Sequence, residues 1–172
     1  MDLIDFDAQP LYFDEALPTG VLELIEAAGA HYGEPEAEAL LARAHAAAPG
    51  HLLVQVARYR YFFYSHRLAE AGQVVWHAIG IAAARLRLPA CGHGITLVEF
   101  GSAVATSMTL TRFYLSAVKA AAYLKMRAGE LTIAITLLEG IVALDPADRL
   151  GAGSLLKIAQ EHAHEFEDRF AA

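Results

Sequence analysis

The stretch YLKMRAGELTIAITLLEGIVALDP, residues 123–146, decides the fold. Its apolar residues return every three or four positions, the period of a helix with one buried face. Gly129 interrupts the first run, at the kind of place where a chain leaves a helix through a conformation that glycine adopts freely. Asp145-Pro146 closes the second run, because proline has no backbone N–H to donate and disfavours a helical residue before it. The stretch therefore reads as a helical hairpin: the end of one long helix over about 103–128, a tight turn, and a second helix over about 131–144.

The same punctuation appears elsewhere. Ala37, Leu41, Ala44 and Pro49 are spaced 4, 3 and 5, and so are Ala134, Leu138, Ile141 and Pro146. Ala71, Val75 and Ala78 repeat the 4 and 3 without the proline, and Ala71 lies 34 residues after Ala37. Val21, Leu22, Leu24, Ile25 and Ala28 form one apolar stripe before Ala37. Two further helices are predicted over about 52–65 and 69–87, the latter stopped by Pro89, and ACGHGIT (90–96) reads as a loop by its glycines. A last helix is predicted over about 153–170, with Ser154 as its cap. No segment alternates as a strand does.

A period of 34 with small residues at fixed places resembles the tetratricopeptide repeat (TPR), a helix-turn-helix unit. The resemblance implies an all-α, TPR-like helical-hairpin array of three degenerate repeats, about seven helices in all. In one domain it implies an acidic N-terminal segment (1–17), two repeats over 18–85, an insertion over 86–114, a third repeat over 115–148 and a capping helix over 149–172. The pattern is incomplete. The turn glycine is replaced by Tyr32 and His66 in the first two repeats, and Lys125 stands where a large apolar residue is usual. The physical logic of such repeats is that one hairpin cannot hide its apolar face, whereas stacked hairpins can.

Composition agrees and excludes several classes. The 172 residues are 56% hydrophobic, enough for a buried core, and the abundance of Ala and Leu favours helix over disorder. The acidic start MDLIDFDAQP does not read as a secretion signal, Glu99 and Glu139 interrupt the most apolar runs, and one cysteine suits a reducing compartment. A cytoplasmic protein without a membrane span is expected. Charge is unevenly spread: the net of −7 hides a first 42 residues with acids and no Lys or Arg, followed by ten basic residues over 43–127 against Glu70 and Glu99. Those cations are dispersed over several helices rather than clustered, which argues against a nucleic-acid partner.

In TPR arrays the first helix of each repeat lines the concave side. Carried over by position, the resemblance implies a partner-binding surface of Arg60, Phe63 and Tyr64 from the second repeat and Lys119, Tyr123, Met126 and Arg127 from the third. Spacing agrees independently, since Arg60 and Tyr64, and Lys119, Tyr123 and Arg127, fall on one helix face each. Alternating cations and aromatic rings suit an acidic, partly apolar segment of another protein. Tyr61 and Phe62 are expected in the core. The acidic N-terminal segment is expected either to lie against the basic middle of the chain and compete with a partner, or to be a loosely packed tail.

Chemistry has weaker candidates. Cys91 and His93 place a thiol near an imidazole and carry the alternative reading, a small enzyme or ligand carrier built in the inserted loop. Glu161 and His164 form an i, i+3 pair, but a di-iron bundle needs two such pairs and more carboxylates. The glycines at 92, 94 and 101 match no phosphate-binding pattern. No metal or cofactor is expected, and no catalytic residue. Finally, RFYLSAVKAAAYLKMRAGE (112–130) with LDPADRLGAGSLL (144–156) is similar to the small TPR-like proteins that accompany bacterial nitrogen-fixation systems, of the nitrogenase-associated factor T type. That resemblance implies an adaptor, assembly or protective factor whose partner is a large metalloenzyme such as nitrogenase.

Overall fold

The structure is a computed structural model that describes residues 15–171, with side chains described through residue 164. Among the described residues the chain is all-α, eight helices and no strand. They are α1 (Val21–Ala30), α2 (Pro35–Ala47), α3 (Leu52–Tyr64), α4 (Leu68–Leu86), α5 (Leu97–Thr106), α6 (Met108–Arg127), α7 (Leu131–Leu144) and α8 (Ala152–Ala171). The chain forms two compact units, one ending at Ile81 and the other running on from Ala82. The expected interplay between the acidic N-terminal segment and the basic middle falls largely on residues 1–14, outside those described.

In the unit ending at Ile81, α1 packs on α2 and α2 on α3. Pro35 opens α2, where its missing N–H costs nothing. Two apolar clusters fill this unit: Val21, Ala44, Ala48 and Val54 in one, Ala28, Ala37, Leu40 and Leu41 in the other. The start of α4 is tied back to α2 by Arg67, whose guanidinium bonds Glu38 at 2.6 Å and Glu70 at 2.8 Å.

From Ala82 onward the chain builds a second series, with α5 on α6, α6 on α7, and α8 on both α7 and α6. Val118, Leu137, Leu138 and Ile141 are fully buried. The repeated spacing is a burial pattern: Ala37, Leu41 and Ala44, then Ala71, Val75 and Ala78, then Ala134, Leu138 and Ile141 are all buried. Small residues at these places let neighbouring helices approach closely.

Two turns share one hydrogen-bond pattern. After α3, the His66 N–H donates to the Phe63 carbonyl (3.1 Å) and the Arg67 N–H to the Phe62 carbonyl (2.9 Å). After α6, the Gly129 N–H donates to Met126 (3.0 Å) and the Glu130 N–H to Lys125 (2.9 Å). Both are Schellman caps, with the left-handed residue at His66 (φ 59°) and at Gly129 (φ 78°).

The region expected to begin a single helix over 103–128 is instead divided. Ser107 is extended (φ −163°, ψ 107°) and its hydroxyl accepts the Leu110 N–H at 3.1 Å, capping α6, while α5 begins earlier at Leu97. Thr96 and Glu99 form a capping box at the start of α5. The insertion thus holds a helix of its own, which is why there are eight rather than about seven. The start of α8 also differs from expectation: Asp148, not Ser154, takes the Gly153 N–H at 2.9 Å.

Candidate functional site

Arg60, Phe63 and Tyr64 lie on the second half of α3. Tyr64 is 40% exposed, while Arg60 and Phe63 are half-buried. Phe63 stacks on Tyr59 (centroids 5.6 Å apart, planes at 25°) and meets Tyr64 edge to face at 5.7 Å. The rings therefore hold one another in place, and Tyr64 is presented on a rigid base. Of the two residues expected in the core, Phe62 is buried beneath the Arg67 guanidinium, 4.7 Å from its ring. Tyr61 is half-buried and faces the exposed Tyr32 edge to face at 6.2 Å. Tyr32 thus extends this aromatic surface, a neighbour that α3 periodicity alone does not reveal.

The α6 residues lie in the other unit and divide by role. Arg127 is exposed and bonds the half-buried Tyr123, its Nη1 donating to the hydroxyl at 3.1 Å, with the guanidinium 6.0 Å from the ring centre. A cation and a ring are thus held ready as a pair. Met126 is half-buried beside them in the sequence. Lys119 is half-buried and donates from Nζ to the Leu150 carbonyl at 2.6 Å. It fastens the α7–α8 loop, which Asp145 also holds by accepting the Leu150 N–H at 2.9 Å.

Cys91 and His93 do not assemble a nucleophile and base. The exposed thiol donates to the backbone carbonyl of His93 at 3.4 Å rather than to its imidazole. Their loop is anchored from within. Gly92 is buried with φ 79°, where a side chain would meet Val118 and Leu137 at 3.1–3.2 Å. Tyr114 beneath donates to the Pro89 carbonyl at 2.5 Å, and burial pushes its hydroxyl up to about 12, so it stays a donor. Glu161 and His164 are exposed. Among the described residues, His31, Glu34 and Glu36 bring ligand-type atoms within 4.8 Å of one another, at the α1–α2 turn. Glu34 and then Glu36 raise the His31 imidazole above its usual range.

The feature that sequence reasoning missed is α5. Ala103 is its one buried residue, whereas Leu97 is 74% and Val98 80% exposed, with Met108 just beyond at 55%. Its hydroxyls turn inward, Ser102 to the Val98 carbonyl and Thr106 to the Ser102 carbonyl, both at 2.9 Å. Its one charge, Glu99, is engaged by Thr96, whose backbone N–H and hydroxyl hold the carboxylate below its ordinary range. The helix therefore offers water an apolar surface with its polar groups already spoken for.

A protein of Azotobacter chroococcum mcd 1 described as an uncharacterized 19.8 kDa protein in the nifW 5' region is 39% identical to this chain over 165 residues. The aligned part covers 96% of this chain and 92% of that protein. The chain belongs to the same family. No protein-family model matches the chain, and no solved structure matches it. No helix among the described residues of this family member is long and apolar enough to cross a membrane.

Proposed function

We propose that this protein is a TPR-type, non-catalytic factor that binds another protein in nitrogen fixation, as an adaptor, assembly or protective factor. The observation that carries the reading is α5, with Leu97 and Val98 exposed on a helix whose charge and hydroxyls are internally engaged, and Met108 exposed just after it at the start of α6. An exposed apolar surface of this kind is suited to being covered by another molecule, and a partner protein is the occupant proposed here. The Tyr64 platform on α3 and the Tyr123–Arg127 pair on α6 add the residue types that dominate binding energy at such interfaces. Two identical Schellman turns and the recurrent buried small residues support the TPR-type reading. The relative's place in the nifW 5' region supports the proposed nitrogen-fixation setting and makes a large metalloenzyme such as nitrogenase the partner to test first. The factor works in the cytoplasm, needs no cofactor of its own and binds no nucleic acid.

The test is to purify nitrogenase and the tagged full-length chain and measure their association, first wild type and then paired variants. Leu97→Asp with Val98→Asp, and Tyr123→Ala with Arg127→Ala, are expected to weaken binding by about tenfold or more each. Cys91→Ser with His93→Ala is expected to leave it unchanged. Equal binding by every variant, or none by the wild type, rejects the reading.

A further inference from the structure

Gln55 is fully buried near the start of α3, and its neighbours fix its amide orientation. Nε2 lies 2.6 Å from the Pro49 carbonyl, which only accepts, and Oε1 lies 3.3 Å from Nη1 of Arg58, which only donates. The same Nε2 is 3.2 Å from Nδ1 of His45. An amide NH2 cannot accept a hydrogen bond, so Nδ1 must present its lone pair and the ring proton must sit on Nε2. His45 is therefore neutral here. Turning the amide over to meet a proton on Nδ1 would set Oε1 against the Pro49 carbonyl and NH2 against Arg58.

The charged and titratable groups facing His45 are Arg58 on α3 and His77 on α4, whose ring stands 6.0 Å away edge to face. Partial burial first, then these two neighbours, lower the His45 imidazole from 6.5. His77 behaves differently: its Nε2 donates to the Pro49 carbonyl at 3.2 Å, a bond that its own protonation leaves intact. The turn between α2 and α3 is thus held from three helices, and one of these ties fails when a proton arrives.

We propose that the α2–α3 turn is a proton-operated latch, in which protonation of His45 breaks its bond to Gln55 and loosens residues 48–53. The loosening passes to the chain that enters α1. His51, in the same turn, caps α3 by accepting the Leu53 N–H at 3.2 Å and donates from Nε2 to the Glu15 carbonyl at 3.0 Å. Because the neutral imidazole is the favoured form, the latch is closed at neutral pH. It opens as the pH falls below 6.5 and through the depressed folded value.

The test is nuclear magnetic resonance on the full chain near pH 8 and near pH 5.5, reading imidazole nitrogen shifts and amide exchange as protection factors. Near pH 8, His45 is expected as the Nε2–H tautomer. Near pH 5.5, protection of the His51 amide, which donates to the Ala48 carbonyl at 3.2 Å, is expected to fall about fivefold or more, whereas the Leu53 amide is bonded to the His51 ring itself and does not report on His45. His45→Gln, whose Oε1 can accept the same amide proton, should keep its protection at both pH values, and His77→Gln should lose it as the wild type does. An Nδ1–H tautomer near pH 8 overturns the latch using the wild type alone. So does unchanged wild-type protection, an equal fall in His45→Gln, or no fall in His77→Gln.

Discussion

Phe62 and Lys125 hold the same place in two turns, three residues before the cap residue of α3 and of α6, yet they are stabilised by opposite means. In the first turn Arg67 lies over the Phe62 ring; in the second, Lys125 donates to Glu130 at 2.7 Å. The left-handed position is His66 in one and Gly129 in the other. Backbone hydrogen bonds are the same in both. The comparison teaches that the turn is specified by how the helix ends, and that side chains only decide how cheaply it is made. Lys125 thus meets a carboxylate where the repeat pattern predicts an apolar contact.

The sharpest test of likeness lies at matching buried positions of the repeated spacing, one in each unit. Leu138→Ala in α7 and Leu41→Ala in α2 should each cost about 3 kcal/mol, the value for a buried leucine whose cavity only partly collapses. Urea unfolding followed by helical circular dichroism measures both. If one proved several times costlier than the other, the hairpins would not be built alike.

Next come the left-handed residues. Gly129→Ala should destabilise by about 1 kcal/mol, because nothing lies within 4 Å of an added Cβ and only the backbone objects. His66→Gly should be neutral or stabilise by up to about 1 kcal/mol, relief of the same strain offset by chain entropy. Equal destabilisation by both would show that His66 contributes a contact beyond its backbone.

Smaller effects separate the side-chain devices. Arg67→Ala removes the ring contact and the bonds to Glu38 and Glu70, so its unfolding midpoint should fall further than that of Glu130→Ala, which removes one partner. The reverse order would assign the turn's side-chain stability to the ion pair.

The least effect is expected at the α1–α2 turn, which uses a different set of bonds. His31 donates there to Glu34 at 3.0 Å, and its imidazole is raised above 6.5 by that bond and then by Glu36. Its contribution is therefore present below pH 6.5 and is lost as the pH rises through the raised value. A titration by proton resonance should place the His31 midpoint above 6.5, and Glu34→Gln should bring it down; no change in Glu34→Gln would deny the pairing.

Much of the fold was legible because punctuation and periodicity agreed. The bounds expected for α7 coincide with those found, since Gly129 and Asp145-Pro146 stop the chain on both sides. The 4 and 3 spacing of small and apolar residues pointed to burial. The division at Ser107 was not read, because apolar residues continue across it and a single serine cap is a weak local signal. The capping box of Thr96 and Glu99 was a usable sign of α5. That Leu97 and Val98 face water was illegible, since such residues are ordinarily core. For Lys119, the bond to Leu150 joins residues 31 apart, which no helical period records.

Gly92 and Cys91 together have a practical consequence. The chain's single thiol stands in water next to a residue clamped between Val118 and Leu137, with Tyr114 gripping the loop from below. A spin label or fluorophore attached there needs no prior mutagenesis and would ride on a backbone nearly as stiff as the helices under it. Distances measured from that probe would track the α6–α7 pair itself, making the native protein its own ruler.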